Sequence, residues 1–181
     1  MRGISTRWIA AAVAAVVVIL GVVLATQVSS DPRASANKSN LVGRSAPRFD
    51  LPGFDGSRVR LADLAGKTVV VNFWNSWCIP CRQEEGALRS FQQEHARDES
   101  VRLVGIVRDD SESAARDYAR AHGLTWTLAN DPGSAAAVKF GTRGQPETYV
   151  IGPTGKIVAA EYGPLSTAAL DALVDRAQGV R

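Results

Sequence analysis

Residues Thr68-Val69-Val70-Val71-Asn72-Phe73-Trp74-Asn75-Ser76-Trp77-Cys78-Ile79-Pro80-Cys81-Arg82-Gln83-Glu84 join an apolar run to a pair of closely spaced cysteines. Thr68 to Trp74 is a nearly continuous apolar run rich in β-branched residues, which predicts a central strand buried on both faces. Pro80 suits the first turn of a helix, where its missing N–H is not needed. The stretch therefore reads strand, turn, helix, with two thiols at the turn. Cys78 and Cys81 are the only cysteines in the 181 residues. A pair so close in sequence closes almost no loop and constrains the unfolded chain little. Its use is chemical. At a helix N-terminus the free N–H groups and the dipole favour a thiolate at Cys78. Cys81, one turn further in, is expected to be less exposed. Cys78 is thus the attacking thiol and Cys81 the one that resolves the mixed disulfide.

Outward from this core, apolar period and punctuation place the other elements. Arg58 to Leu61 reads as a short strand and Pro80 to about Arg97 as a helix. Val101 to Val107 is a second buried strand. A helix over Ser111 to His122 is capped by Asp109 or Asp110 and stopped by Gly123. Trp126 to Leu128 is a short strand, and Asp131-Pro132 starts a small helix ending at Gly141. Glu147 to Ile151 and Lys156 to Glu161 form a hairpin about Gly152-Pro153-Thr154-Gly155. Ser166 caps a last helix with Leu170, Leu173, Val174 and Ala177 on one face. The order predicts an α/β domain, a mixed sheet flanked by helices.

The stretch from Val71 to Glu84 resembles the active-site region of thioredoxin-fold proteins, and most of all the membrane-tethered TlpA/ResA/CcmG (DsbE) group. Gly144-Gln145-Pro146-Glu147-Thr148-Tyr149-Val150-Ile151 is similar to that group's cis-proline segment. The resemblance spans about residues 41–178. It implies a thioredoxin-like fold with a helix–strand–helix insertion between Asp109 and Gly144. It also implies a cis peptide before Pro146, facing the thiols, with the Gln145 backbone free to pair with an extended client segment. Trp77, Ile79, Pro80, Gln145 and Glu147 are the residues expected to meet a client. Glu147 matches the group as well, and either tunes the site or faces water.

Asn72 stands where ordinary thioredoxin carries a buried carboxylate. Glu84 lies on one helix face with Cys81, Leu88 and Phe91, at i, i+3, i+7 and i+10. Two readings stand. A desolvated Glu84 would have a raised pKa and move protons to and from Cys81. A solvated Glu84 would merely complement the helix dipole. His95 reads as a solvated helix side chain and His122 as a helix-end residue. Trp74 reads as core.

Trp8 to Ser30 carries no charge. Residues 8–28 as a helix would span about 31 Å, enough for a bilayer core of roughly 30 Å. This run is longer than the apolar region of a cleaved signal, although Ala34-Ser35-Ala36 resembles a cleavage site. The expectation is a single transmembrane anchor over 8–28 behind a cytoplasmic 1–7. A flexible tether over 29–40 and an extracytoplasmic domain over 41–181 follow. No cysteine follows the run, so a lipid-anchored form is not expected. An apolar fraction of 45% and a charged fraction of 22% exclude a disordered chain. Beyond residue 30 the charges nearly cancel, 19 basic against 18 acidic. No basic stripe is left for nucleic acid.

The resemblance implies an extracytoplasmic thiol–disulfide oxidoreductase, in the reducing direction, acting on exported protein thiols such as apocytochrome c and fed by a membrane electron donor. Ile79 supports that direction mildly, because it supplies no charge to stabilise a thiolate. A disulfide-forming oxidase is the alternative within this chemistry. A tethered copper chaperone is the alternative outside it, although its usual wider cysteine spacing and downstream histidine are missing. The proline and threonine expected before a peroxidatic cysteine are absent before Cys78. No cofactor and no resident metal are expected.

Overall fold

The central strand forms where the apolar run predicts it. In the computed structural model, which describes residues 15–20 and 39–179, β3 is Thr68–Trp74 and buried along its whole length. It follows β1 (Asp50–Pro52) and β2 (Arg58–Arg60), an antiparallel pair with a sheet of its own. Then come α1 (Ile79–Glu94), β4 (Val101–Val107), α2 (Glu112–Ala121), β5 (Thr127–Asn130), α3 (Ala135–Phe140), β6 (Glu147–Ile151), β7 (Ile157–Tyr162) and α4 (Thr167–Gln178). The main sheet has the order β5-β4-β3-β6-β7. β4 runs parallel to β3 and to β5, while β6 is antiparallel to β3 and to β7. This is the thioredoxin-like mixed sheet between helices, with α2, β5 and α3 as the insertion.

Strand alternation divides the core in two. Val70 and Trp74 pack with Leu88 and Phe91 of α1 and Leu170 and Val174 of α4. Val69, Val71 and Phe73 pack on the other face with Phe140 of α3 and with Leu51 and Val59 of the small sheet. Asn72 shares its parity with Val70 and Trp74 and so points to the α1 face. That alternation carries a polar side chain to the underside of the thiol-bearing helix.

Some local readings are corrected. Ser111, not Asp109 or Asp110, caps α2, its hydroxyl accepting from Ala114 N at 3.2 Å. Asp109 is left-handed, at φ 54°, and Asp110 is spent on Ser76. β5 starts one residue later than expected and runs to Asn130. The segment opened by Asp131-Pro132 is a 3-10 turn broken at Gly133 before α3 begins. His95 is half-buried rather than fully solvated: it ends α1 and its Nε2 lies 3.2 Å from Asp171 Oδ1 of α4. β1 had no sequence signal, because three residues ending in proline carry no period.

The described residues 39–179 belong to one compact unit. The expected anchor over 8–28 and tether over 29–40 lie largely outside the described residues. Residues 15–20 are helical. Among the described residues no helix is long and apolar enough to cross a membrane.

Candidate active site

β3 ends at Trp74 and the chain turns into α1 over four residues. Cys78 is the N-cap of α1, and its Sγ accepts from Cys81 N at 3.1 Å. The two cysteines are joined in a disulfide. In this oxidised state Cys78 is 4% exposed and Cys81 8%. The expectation that Cys81 be the more hidden is not met in this oxidised state. The surface around the pair belongs to Trp77 and Ile79, 56% and 69% exposed, and to Pro80, also exposed.

Neighbouring loops hold this turn. Asp110 Oδ2 accepts from Ser76 N at 2.7 Å, and Trp77 Nε1 donates to Asp109 O at 3.2 Å. Arg82 Nη2 donates back to Ser76 O at 2.9 Å. The loop after β4 thus fixes the loop after β3.

The second half of the site comes from β6. Phe73 is opposite Glu147, so the residues before Glu147 lie at the sheet end where β3 gives way to the thiol turn. The Gln145–Pro146 peptide is cis. Gln145 is half-buried and Pro146 buried. Arg108, at the end of β4, donates to Thr142 Oγ1 at 2.6 Å, and its backbone N–H donates to Trp74 O at 3.1 Å. One residue therefore joins the thiol strand to the proline loop. Sequence reasoning missed Arg108, since one arginine after a strand carries no pattern.

Glu147 does not face a client. It is 2% exposed, accepts from Arg143 N at 2.9 Å and from Tyr149 OH at 2.7 Å. Its carboxylate closes the loop Arg143 to Pro146 from inside. Burial and the Glu147 carboxylate push the Tyr149 hydroxyl far above its ordinary value, so it stays a donor.

Glu84 lies beneath the thiols, 2% exposed. Its Oε1 accepts from Asn72 Nδ2 at 2.8 Å and its Oε2 from Leu165 N at 3.1 Å. Asn72 Nδ2 also lies 3.1 Å from Thr148 Oγ1. Burial raises the Glu84 pKa to about 7, against the opposing pull of the Asn72 and Leu165 hydrogen bonds. Glu84 and Cys81 line the same small cavity. Among the described residues no cluster of histidine, cysteine and carboxylate side chains is arranged to hold a metal ion.

The model of the AhpC/TSA family matches residues 42–160. The chain belongs to that family. It is 30% identical over 124 residues to the thiol-disulfide oxidoreductase ResA of Bacillus subtilis, covering 68% of this chain and 69% of the relative. It is 34% identical over 130 residues to the thiol:disulfide interchange protein DsbE of Allochromatium vinosum, covering 70% of each. A solved thiol:disulfide interchange protein of Chlorobium tepidum matches with a TM-score of 0.67 and 26% identity, over 77% of this chain and 98% of that one. Within the family the chain is a thiol–disulfide oxidoreductase of the ResA/DsbE type, with its cysteine pair at Cys78 and Cys81.

Proposed function

We propose that the protein is a membrane-anchored, extracytoplasmic reductant of exported protein disulfides, with apocytochrome c as a client in cytochrome c maturation. The uncharged run over 8–28 supports the anchor and the export of the domain. The observation that carries the reducing direction is the buried carboxylate of Glu84, which lines the same small cavity as Cys81. A thiol pair is strongly oxidising when its reduced, thiolate form is stabilised. Here a neighbouring carboxylate opposes negative charge at Cys81, and Ile79 brings no positive charge to Cys78. The reduced pair gains little, so electrons leave it readily.

In the reaction, the Cys78 thiolate attacks one sulfur of a client disulfide and the other client sulfur departs as a thiolate. Cys81 gives its proton to Glu84 and attacks Cys78 Sγ. The mixed disulfide breaks and the client leaves with both sulfurs reduced. Two electrons have passed from the cysteine pair to the client, and a membrane electron donor restores the pair. The half-buried backbone of Gln145 and the exposed Trp77 and Ile79 form the surface a client would meet.

The test is the equilibrium reduction potential of the full chain in thiol–disulfide buffers, followed by Trp77 fluorescence, with Cys78→Ser as control. A potential near about −270 mV, as in thioredoxin, is expected. A potential approaching about −120 mV would replace this reading by a disulfide-forming oxidase.

A further inference from the structure

Glu84 has no route of its own to solvent. It is 2% exposed, and its hydrogen-bond partners are Asn72 and the Leu165 backbone, neither of which titrates. Once Glu84 has taken the Cys81 proton, it either returns it when the pair is re-reduced or passes it on. The cavity beside it offers a path.

That cavity holds about 20 Å³, room for one water molecule. Cys81 and Glu84 line it, and so do Glu85 and Tyr118. Trp74, Trp126 and Asn75 are also in its wall, 5%, 7% and 1% exposed. Trp74 Nε1, Trp126 Nε1 and Asn75 Oδ1 are buried and have no hydrogen-bond partner among the described residues. Both indole nitrogens lie close to the point where a Cβ on Gly105 would stand, at 2.9 and 3.1 Å. The two N–H groups are therefore neighbours. The side chains in its wall bring two unpaired donors, an unpaired acceptor and a carboxylate to one small, mostly apolar cavity, a partner set that a buried water would satisfy.

Glu85 carries the path outward. Its Oε2 accepts from Tyr118 OH at 2.8 Å and lies 3.0 Å from His122 Nδ1, and its Oε1 accepts from Arg89 Nη2 at 2.8 Å. His122 stacks on Tyr118, with centroids 3.9 Å apart, and is 41% exposed at its side chain. Arg82 sits 5.5 Å from the Tyr118 ring centroid. Burial and Glu85 push the Tyr118 hydroxyl up to about 12, so Tyr118 remains a donor, and the partly exposed His122 is the end of the path nearest solvent.

We propose that Trp74, Trp126 and Asn75 hold a water molecule in this cavity, and that the water passes the Cys81 proton from Glu84 to Glu85, from which His122 releases it to solvent. This rests on the reading above in one point, that Glu84 accepts the Cys81 proton. The Cys81 S–H bond breaks as its sulfur bonds to Cys78 Sγ, and the client departs as a thiolate. The water takes the proton from Glu84 and gives one of its own to Glu85. Glu85 passes it to the imidazole, and every carrier returns to its starting state. No electron moves along this path.

The test mixes the reduced full chain with a disulfide peptide in dilute buffer and follows the resolving step, in H2O and in D2O. His122→Ala is expected to slow the step several-fold and enlarge the isotope effect, with the rate restored in proportion to added imidazole. His122→Gln keeps a hydrogen-bond donor for Glu85 but cannot titrate. It should be as slow as His122→Ala, which a structural role would not produce. Glu85→Gln should slow the step without imidazole rescue. If all three exchange at the normal rate while Glu84→Gln is slow, this exit is wrong and the role of Glu84 stands. If Glu84→Gln is also normal, that role fails as well. A high-resolution crystal structure with the cavity empty would overturn the water.

Discussion

Glu84 sits close to the boundary between its two charge states, and that fixes how the protein responds to pH. In the unfolded chain its pKa returns to the ordinary value of 4.5, while in the fold it is about 7. Below 4.5 both states hold the proton and the buried carboxyl is neutral. Between the two values the fold keeps a proton that the unfolded chain has released. Stability therefore falls as pH rises through this window and levels off above it. The span corresponds to about 3 kcal/mol. In urea titrations from pH 4 to pH 8, Glu84→Gln should lose that dependence. An unchanged slope in the variant would show that Glu84 is not the group responsible. Asn72→Asp tests the same pocket from the other side. It would replace a donor 2.8 Å from Glu84 by a second carboxylate. Two such charges cannot both ionise, so one stays protonated at neutral pH. The variant should be destabilised at pH 8 by about 3 kcal/mol or more, and far less at pH 4. Equal destabilisation at both pH values would mean a packing defect instead. The spacing of Cys81, Glu84, Leu88 and Phe91 disclosed the shared face, and those four are the buried residues of α1. Whether a glutamate on such a face is solvated depends on what packs above it. Here that is the Leu165 loop, 81 residues away.

At the level of elements, the strands and helices with strong period were legible, and their joints were not. β3 and β4 begin and end where the apolar runs do, because both are buried on two faces. The cap of α2 is not legible locally, since Asp109, Asp110 and Ser111 are all good capping residues in a row. Tertiary contacts decided among them. Asp110 is drawn to the thiol turn, where it accepts from Ser76 N, leaving Ser111 for the helix. The two neighbours should therefore separate on mutation. Ser111→Ala is expected to lower stability by about 1 kcal/mol and leave disulfide exchange unchanged. Asp110→Ala should alter the exchange rate, because it frees the backbone two residues before Cys78. Unfolding midpoints and exchange rates measured on both variants decide the matter. The reverse assignment of effects would restore Asp110 as the cap. Arg108 and Glu147 belong to the same class of joint. Each ties the proline loop to a strand, through Thr142 Oγ1 and through Arg143 N. Such ties join residues 4 to 34 positions apart, and no local pattern announces them.

Across the whole molecule, one sheet separates two apolar cores, and the thiol turn lies where the central strand ends on the α1 side. The redox state of two sulfurs is therefore coupled to the packing of that core, in which Cys78 and Cys81 are themselves members. Linkage makes the coupling measurable. If the fold prefers the disulfide, the oxidised protein must unfold at higher denaturant than the reduced one, and the pair must be correspondingly reducing. Each difference of about 1.4 kcal/mol between the two forms corresponds to about 30 mV in potential. The oxidised chain is expected to be the more stable, since Glu84 disfavours thiolate below the pair and the disulfide is buried. Cys78→Ser, which cannot cross-link, should unfold near the reduced midpoint. Urea unfolding of the full chain with and without a strong reductant supplies both numbers. A reduced form more stable than the oxidised one would mean that the fold stabilises thiolate. The protein would then draw electrons from its clients, and the reducing direction proposed here would be reversed.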